Sequence, residues 1–301
     1  MDTREVGPAA SEAEARAAFV SRSAGPALVE AELRRNVREL LPGEVDATSD
    51  TETFLAALAG YAARCPEPAG SAVWGLDLAS GALRRTAVPE AGGPVAHGAG
   101  LTWVGALEAA LVQHCEGILA RRLASPDTRV PRLRLEPARE PAVREGRGVP
   151  ATGATPGDPA VPEELLRVLR AQGEPVAHDL TGLLSLPACA LRLDRDGGTP
   201  SEPDTVVATG ATRADALSTA AARVLALKGH RAAGRPGPLT VPAIGRDREP
   251  GSVRVRPPAQ WSTPLDALRA DGHSPVALLL DHDTRLSRVL PYAVRIVLSA
   301  R

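Results

Sequence analysis

The sequence predicts an α/β fold made of two similar halves: a pseudo-duplicated arrangement of mixed sheets flanked by Ala-rich helices, behind a helical N-terminal extension. Three observations carry this. A Gly-bearing approach leads into an Ala/Leu-rich helix twice, at His97-Gly98-Ala99-Gly100-Leu101-Thr102 and at Ala208-Thr209-Gly210-Ala211-Thr212. A helix–Gly–strand passage also occurs twice, around Gly173 and Gly272, each followed by an Asp-bearing turn and a Leu-Pro pair, Leu186-Pro187 and Leu290-Pro291. Finally, Ala72 to Leu78 alternates large apolar and other residues, the period-two signature of a strand.

The elements follow in order. Residues 1–68 read as a helical extension, with Ser11 and Glu14 spaced for a capping box, a helical rhythm over Ala27 to Leu41, and a third helix over Thr51 to Ala63. Residues 69–301 form the α/β domain. Its first strand turns at Ser80-Gly81 into a hairpin partner, Leu83 to Val88. The Gly-rich stretch from Gly92 to Gly100 opens onto a long helix, Thr102 to Leu123. Eight prolines between Ser125 and Pro162 forbid a regular helix and predict a long loop. A helix over Val161 to Gln172 stops at Gly173, and strands follow at Val176 to Leu180 and Ala188 to Asp194. The second half predicts a strand at Val206 to Ala208 and a helix from Arg213 to Lys228, with Thr212 and Asp215 as its capping pair. A Pro/Gly-rich loop covers Gly229 to Pro258. A helix at Pro264 to Ala270 and strands at Val276 to Asp281 and Tyr292 to Leu298 complete the chain.

Composition narrows the function classes. A chain of 301 residues can bury a sizeable core, and with 44% hydrophobic but 2% aromatic residues that core is packed from Ala, Val and Leu. A net charge of −1 offers no basic field for nucleic acid or a membrane surface. Cys65, Cys115 and Cys189 lack metal-ligand spacing and fit a reducing compartment. The start, Met1-Asp2-Thr3-Arg4-Glu5, has no apolar run behind basic residues, and no stretch is long and apolar enough to span a membrane. The expectation is a cytoplasmic protein.

Several residues invite chemistry. Ala109, Gln113 and Glu116 share one face of the first long helix, and Thr219, Arg223 and Ala226 hold the corresponding positions on the second. His114 and Cys115 point about 100° apart on a helix and cannot chelate one metal. His178-Asp179 and His282-Asp283 lie at strand ends but read best as solvated loop residues. Gly98-Ala99-Gly100 could hold a phosphate at a helix N-terminus or give the helix room to pack. Ser185 and Ser201 have no His at readable spacing. The Arg-rich stretch from Arg129 to Arg147 is either a solvated linker or a clamp for a peptide.

Four passages, in order, resemble the YcaO family from about Ala72 to the C-terminus. They are Leu76 to Leu83 ending at Val88-Pro89; the Gly-rich approach and helix ending Gln113-His114-Cys115-Glu116; Gly173 to Thr181 with Leu186-Pro187; and Gly272 through Val294 to Leu298. The resemblance implies ATP-dependent activation of a peptide-bond oxygen. A Cys, Ser or Thr side chain attacks an amide carbon, the resulting oxygen is phosphorylated, and phosphate leaves to give an azoline. Phosphorylation turns a poor leaving group into a good one, and magnesium offsets the charge of the phosphates. The family's magnesium ligands are implied to be Glu-x-x-Glu-like pairs on the two Ala-rich helices, where such spacing sets Cβ atoms about 5–6 Å apart.

Here the first pair reads Gln113-x-x-Glu116 and the second Arg223-x-x-Ala226, with Ala109 where a small hydroxyl residue and Gly117 where an Arg is implied. A guanidinium about 5 Å from a divalent ion costs roughly 6–7 kcal/mol at an effective dielectric of about 20, unless it binds phosphate directly. Gln113, Glu116 and Arg223 are therefore the remnant cofactor positions. Glu116 is at most a single metal ligand, and the expected cofactor is none or weakly held Mg-ATP. The chain also lacks a Pro-Gly after its last strand. The expected function is an accessory protein in azole- or azoline-peptide biosynthesis, binding a precursor peptide, a catalytic YcaO protein or a leader-binding subunit; a homodimer is also compatible. An active cyclodehydratase in which Glu116 keeps one magnesium is the alternative, and an unrelated α/β binding protein the third.

Overall fold

The computed structural model describes residues 11–41, 45, 50–64, 72–87, 95–125, 127–135, 162–194, 205–232, 262–280, 283–290 and 292–300. The 68/69 boundary, Cys65, Ser201, His282 and most of the two Pro-rich loops lie outside them. The chain divides into two units, residues 1–115 with 264–301, and residues 116–263.

The first unit opens with three helices: α1 (Glu12–Ser23), α2 (Glu30–Leu40) and α3 (Thr51–Arg64). The expected capping box forms in full, with Ser11 Oγ accepting from the Glu14 amide and the Glu14 carboxylate accepting from the Ser11 amide. Phe54, Leu58 and Ala62 recur at helical spacing along α3 and are fully buried. They join Leu33 and Val37 of α2 in one apolar cluster with Leu280, Leu286 and Leu290.

Strands β1 (Ala72–Asp77) and β2 (Leu83–Ala87) make the predicted hairpin. Asp77 Oδ1 accepts from the amides of Ala79 and Ser80, and Gly81 takes φ 71°, a left-handed value that suits a residue without Cβ. Strand β3 (Val95–Ala99) follows, then α4 (Trp103–Ala124), within which the unit boundary falls between Cys115 and Glu116.

In the second unit come β4 (Arg132–Leu133), α5 (Glu163–Gln172), β5 (Glu174–Asp179), the short α6 (Thr181–Leu184), β6 (Ala188–Asp194), β7 (Val206–Thr209) and α7 (Arg213–Ala232). The chain then returns to the first unit with α8 (Pro264–Ala270), β8 (His273–Leu279), α9 (Thr284–Val289) and β9 (Ala293–Ala300).

The fold is α/β. Its strand pairings, expected to be mixed, are antiparallel throughout the described residues, in the orders β2-β1-β8-β9-β3 and β4-β5-β6-β7. The repeat is visible in the registers. Asp179 pairs with Cys189 and Ala188 with Thr209 in one unit; Leu279 pairs with Val294 and Ala293 with Ala99 in the other. Pro175-Val176-Ala177 thus corresponds to Pro275-Val276-Ala277. The amide of Gly100 donates to the Tyr292 carbonyl just as that of Gly210 donates to Pro187.

Strand β3 lies within the Gly-rich approach to α4, where the sequence predicts no strand. Its small residues serve close packing. A Cβ on Gly98 would sit 1.9 Å from the Ala106 carbonyl oxygen, and one on Gly210 would sit 2.5 Å from the Ala216 amide. The second unit's core joins α5, α7 and one face of the sheet through Leu166, Leu169, Ala177, Leu191, Leu217 and Val224.

Candidate functional site

Both sheets end on an edge strand flanked by an Ala-rich helix, and the candidate residues sit on that edge. In an antiparallel edge strand, every second residue turns its amide and carbonyl away from its partner. Gly98 and Gly100 share one direction along β3, so His97 faces outward. Its amide donates to Gln113 Oε1 at 2.7 Å. Along β7, Val207 and Thr209 face outward in the same way. The Thr209 amide donates to Glu116 Oε1 at 3.1 Å, and Arg223 Nη1 donates to the Val207 carbonyl at 3.1 Å.

Arg223 Nη1 also reaches Glu116 Oε2 at 2.8 Å. By register and by helix position, Gln113 over His97 corresponds to Arg223 over Val207. The two side chains do the same work with opposite polarity, one accepting and one donating. An unpaired backbone group away from water costs about as much as a lost hydrogen bond, so these contacts stabilise the sheet edges.

The Glu116 carboxylate is largely buried, its side chain 14% exposed. Burial pushes its carboxyl above the ordinary value, and the Arg223 guanidinium and Thr209 amide oppose that push. A magnesium ion would need Glu116's oxygens, and both already have partners. Ala226 is exposed and brings no oxygen, as is Ala109. Gln113 is committed to the β3 backbone. Of these residues only Glu116 brings a carboxylate, and each of its oxygens accepts a hydrogen bond, from the Thr209 amide and from Arg223. Among the described residues no group of three or more His, Cys, Asp or Glu side chains could hold a metal.

The remaining candidates resolve into structural roles. His114 is buried, with Nε2 2.7 Å from the Ile296 carbonyl oxygen, and the Cys115 thiol donates to the Pro264 carbonyl at 3.7 Å. Burial drives the Cys189 thiol far above its ordinary pKa. Gly98, Gly100 and Gly210 give the helices that follow them packing room. Asp283, beside the undescribed His282, caps α9 by accepting from the amides of Arg285 and Leu286.

His178 and Asp179 correct the solvated-loop expectation, because β5 runs through both. Asp179 is 4% exposed and pairs with Arg213, the first residue of α7, at 2.7 Å. His178 is 3% exposed, with both ring nitrogens lacking a hydrogen-bond partner. Burial, with Arg192 and Arg132 nearby, lowers its pKa to about 4. His97 is likewise lowered to about 4 by burial, Arg295 and His114, and its Nε2 accepts from Arg295 Nε at 2.9 Å.

Sequence reasoning missed the Asp179–Arg213 pair and the pairing of Glu116 with Arg223. Asp179 lies in the run Asp179-Leu180-Thr181, where an Asp can accept from an amide two residues on, and Thr181 N does donate to Asp179 Oδ1 at 2.9 Å. That was the available signal for a fixed strand end.

No family model matches the chain, and no curated protein matches it either. Among the described residues no helix is long and apolar enough to cross a membrane. The solved structures similar to this chain include two heterocyclases. One is a heterocyclase in complex with substrate and cofactor, at TM-score 0.44 and 13% identity over 76% of this chain and 32% of that one. The other is the heterocyclase TruD, at TM-score 0.49 and 12% identity over 90% of this chain and 38% of that one. The chain spans about a third of the length of these two proteins.

Proposed function

We propose that the chain is a YcaO-like accessory protein of azoline-type peptide biosynthesis, binding a precursor peptide or a catalytic partner and not turning over ATP. The resemblance of its four ordered passages and the repeated strand–Gly–helix architecture support the scaffold half of this reading. The observation that carries the other half is the Glu116–Arg223 pair. The one carboxylate left at the remnant positions is neutralised by a guanidinium at 2.8 Å and holds a backbone amide with its second oxygen.

Displacing Arg223 to admit magnesium would break an ion pair and uncover the Val207 carbonyl. Losing the partner of this largely buried carboxylate costs about 2 kcal/mol, since water at the 36% exposed Arg223 side chain relieves part of the penalty, and the metal would gain one ligand in return.

Calorimetric titration with Mg-ATP tests the reading, with a phosphate-release assay in the presence of a Cys/Ser/Thr-rich peptide. No heat and no phosphate are expected. Micromolar Mg-ATP binding with peptide-stimulated phosphate release would establish the active cyclodehydratase instead. Glu116→Gln, which keeps an acceptor for the Thr209 amide, should leave partner stimulation of a catalytic YcaO protein unchanged.

A further inference from the structure

The second unit carries a basic cleft that the proposed remnant site does not use. It has a volume of about 410 Å³ and is lined by Arg132, Leu133, Arg134, Leu135, Arg170, Glu174 and Pro175. Three guanidiniums against one carboxylate make it a local positive field in a chain whose net charge is −1. Arg132, Arg134 and Arg170 are all exposed.

Among the described residues, the cleft lies beside the outer edge of a sheet. Strand β4 stands, among the described residues, at the end of the order β4-β5-β6-β7 and pairs with β5 alone, at Arg132–His178 and Leu133–Ala177. The Asp179 amide donates to the Pro131 carbonyl at 2.8 Å, so Pro131 and Leu133 turn their backbone toward β5. By alternation, Arg132 turns its amide and carbonyl outward. Leu133 is buried in the core cluster and Leu135 packs against it, which leaves Arg132 and Arg134 projecting to the other side. An outward-facing backbone edge beside a cleft lined by three arginines calls for an extended chain with acidic side chains. Main-chain hydrogen bonds supply affinity and the arginines select the residues.

We infer that this cleft docks an extended acidic peptide segment, which adds a strand to the outer edge of β4 and sets its carboxylates against Arg132, Arg134 and Arg170. The inference rests on the peptide-binding part of the proposed function and names the chemistry of the segment bound.

The test is fluorescence anisotropy on the full chain with a labelled peptide of alternating Glu and Val. A Lys/Val peptide serves as the charge control and a Glu/Val peptide N-methylated on alternate amides as the backbone control. The Glu/Val peptide is expected to bind in a salt-sensitive way, and both control peptides to bind at least about tenfold more weakly, a 1.4 kcal/mol difference. Arg134→Glu and Arg170→Glu are each expected to weaken it by at least about tenfold, with circular dichroism melts confirming that these surface variants fold.

Absence of binding to the wild-type chain, as when one of its own segments fills the cleft, overturns the inference. So does binding indifferent to charge reversal. Full binding of the N-methylated peptide, with displacement by inorganic triphosphate, would identify a small-anion site and equally overturn it. Failure here with a null Mg-ATP titration removes only the cleft assignment. Observed ATP turnover removes the accessory reading and leaves the cleft standing.

Discussion

Arg223 Nη1 lies 2.8 Å from Glu116 Oε2 and 3.1 Å from the Val207 carbonyl oxygen, while Glu116 Oε1 holds the Thr209 amide. Two side chains thereby occupy the backbone groups that a further strand would pair with at the edge of β7. Arg223→Met strands a mostly buried carboxylate. Because the Arg223 side chain is 36% exposed, water relieves part of the penalty, and the loss should be about 2 kcal/mol, below the full cost of breaking a buried pair. Glu116→Gln with Arg223→Met removes both charges and keeps the Thr209 acceptor, so the double variant should be more stable than Arg223→Met alone. Urea denaturation of the four proteins in this cycle measures the coupling. A coupling near zero would mean that the pair contributes nothing.

Acid sensitivity follows from His97 and His178, each held near a pKa of about 4. In the unfolded chain both titrate near their ordinary value of about 6.5. A histidine depressed in the folded state contributes stability that is complete above the unfolded pKa and lost as pH falls toward the folded one. Stability should therefore fall between about pH 6.5 and pH 4, by on the order of 2–3 kcal/mol for each histidine. Glu116 acts in the opposite sense, since a raised carboxyl favours the folded state at low pH and loses that contribution as pH rises. Urea midpoints measured across this range should flatten in His97→Gln and again in His178→Leu. An unchanged slope in both variants would contradict the assignment.

What the sequence disclosed and what it hid divide by range. The capping pairs Ser11–Glu14 and Thr212–Asp215 were legible because donor and acceptor lie three residues apart. The repeat was legible because Gly100 and Gly210 each precede an Ala-rich helix that lies too close for a Cβ. Strand β3 was not, because His97-Gly98-Ala99 has little strand propensity of its own. Its conformation comes from pairing with β9 and from room demanded by α4, both long-range effects. Helical spacing placed Glu116 and Arg223 on the faces that meet. It could not reveal that the outward edge of β7 holds both of them, since that depends on strand register.

Cysteine chemistry gives an independent check on the packing. Cys115 and Cys189 are free and buried, and burial keeps the Cys189 thiol protonated at any ordinary pH. The thiolate is the reactive form. Iodoacetamide should therefore leave Cys189 unmodified in the native protein and label it in urea, as read by peptide mass spectrometry. Native labelling of Cys189 would show that the β6–α7 packing opens readily.

Gly98 and Gly117 give the sharpest contrast among the glycines on or against α4. At Gly98 a methyl group would meet the Ala106 carbonyl oxygen at 1.9 Å and the Ala110 amide nitrogen at 2.8 Å. Both are helix backbone and neither can rotate away, so Gly98→Ala must push α4 from the sheet. Overpacking of this kind costs about 1–3 kcal/mol or more. At Gly117 the nearest atom to an added Cβ is the tip of the flexible Arg121 side chain, at an ordinary 3.6 Å. The position is helical, so Gly117→Ala restricts the unfolded chain and should stabilise by about 0.5–1 kcal/mol. Thermal unfolding by circular dichroism would move in opposite directions for the two variants. A tolerated Gly98→Ala would mean that α4 does not pack on β3 as closely as the structure places it.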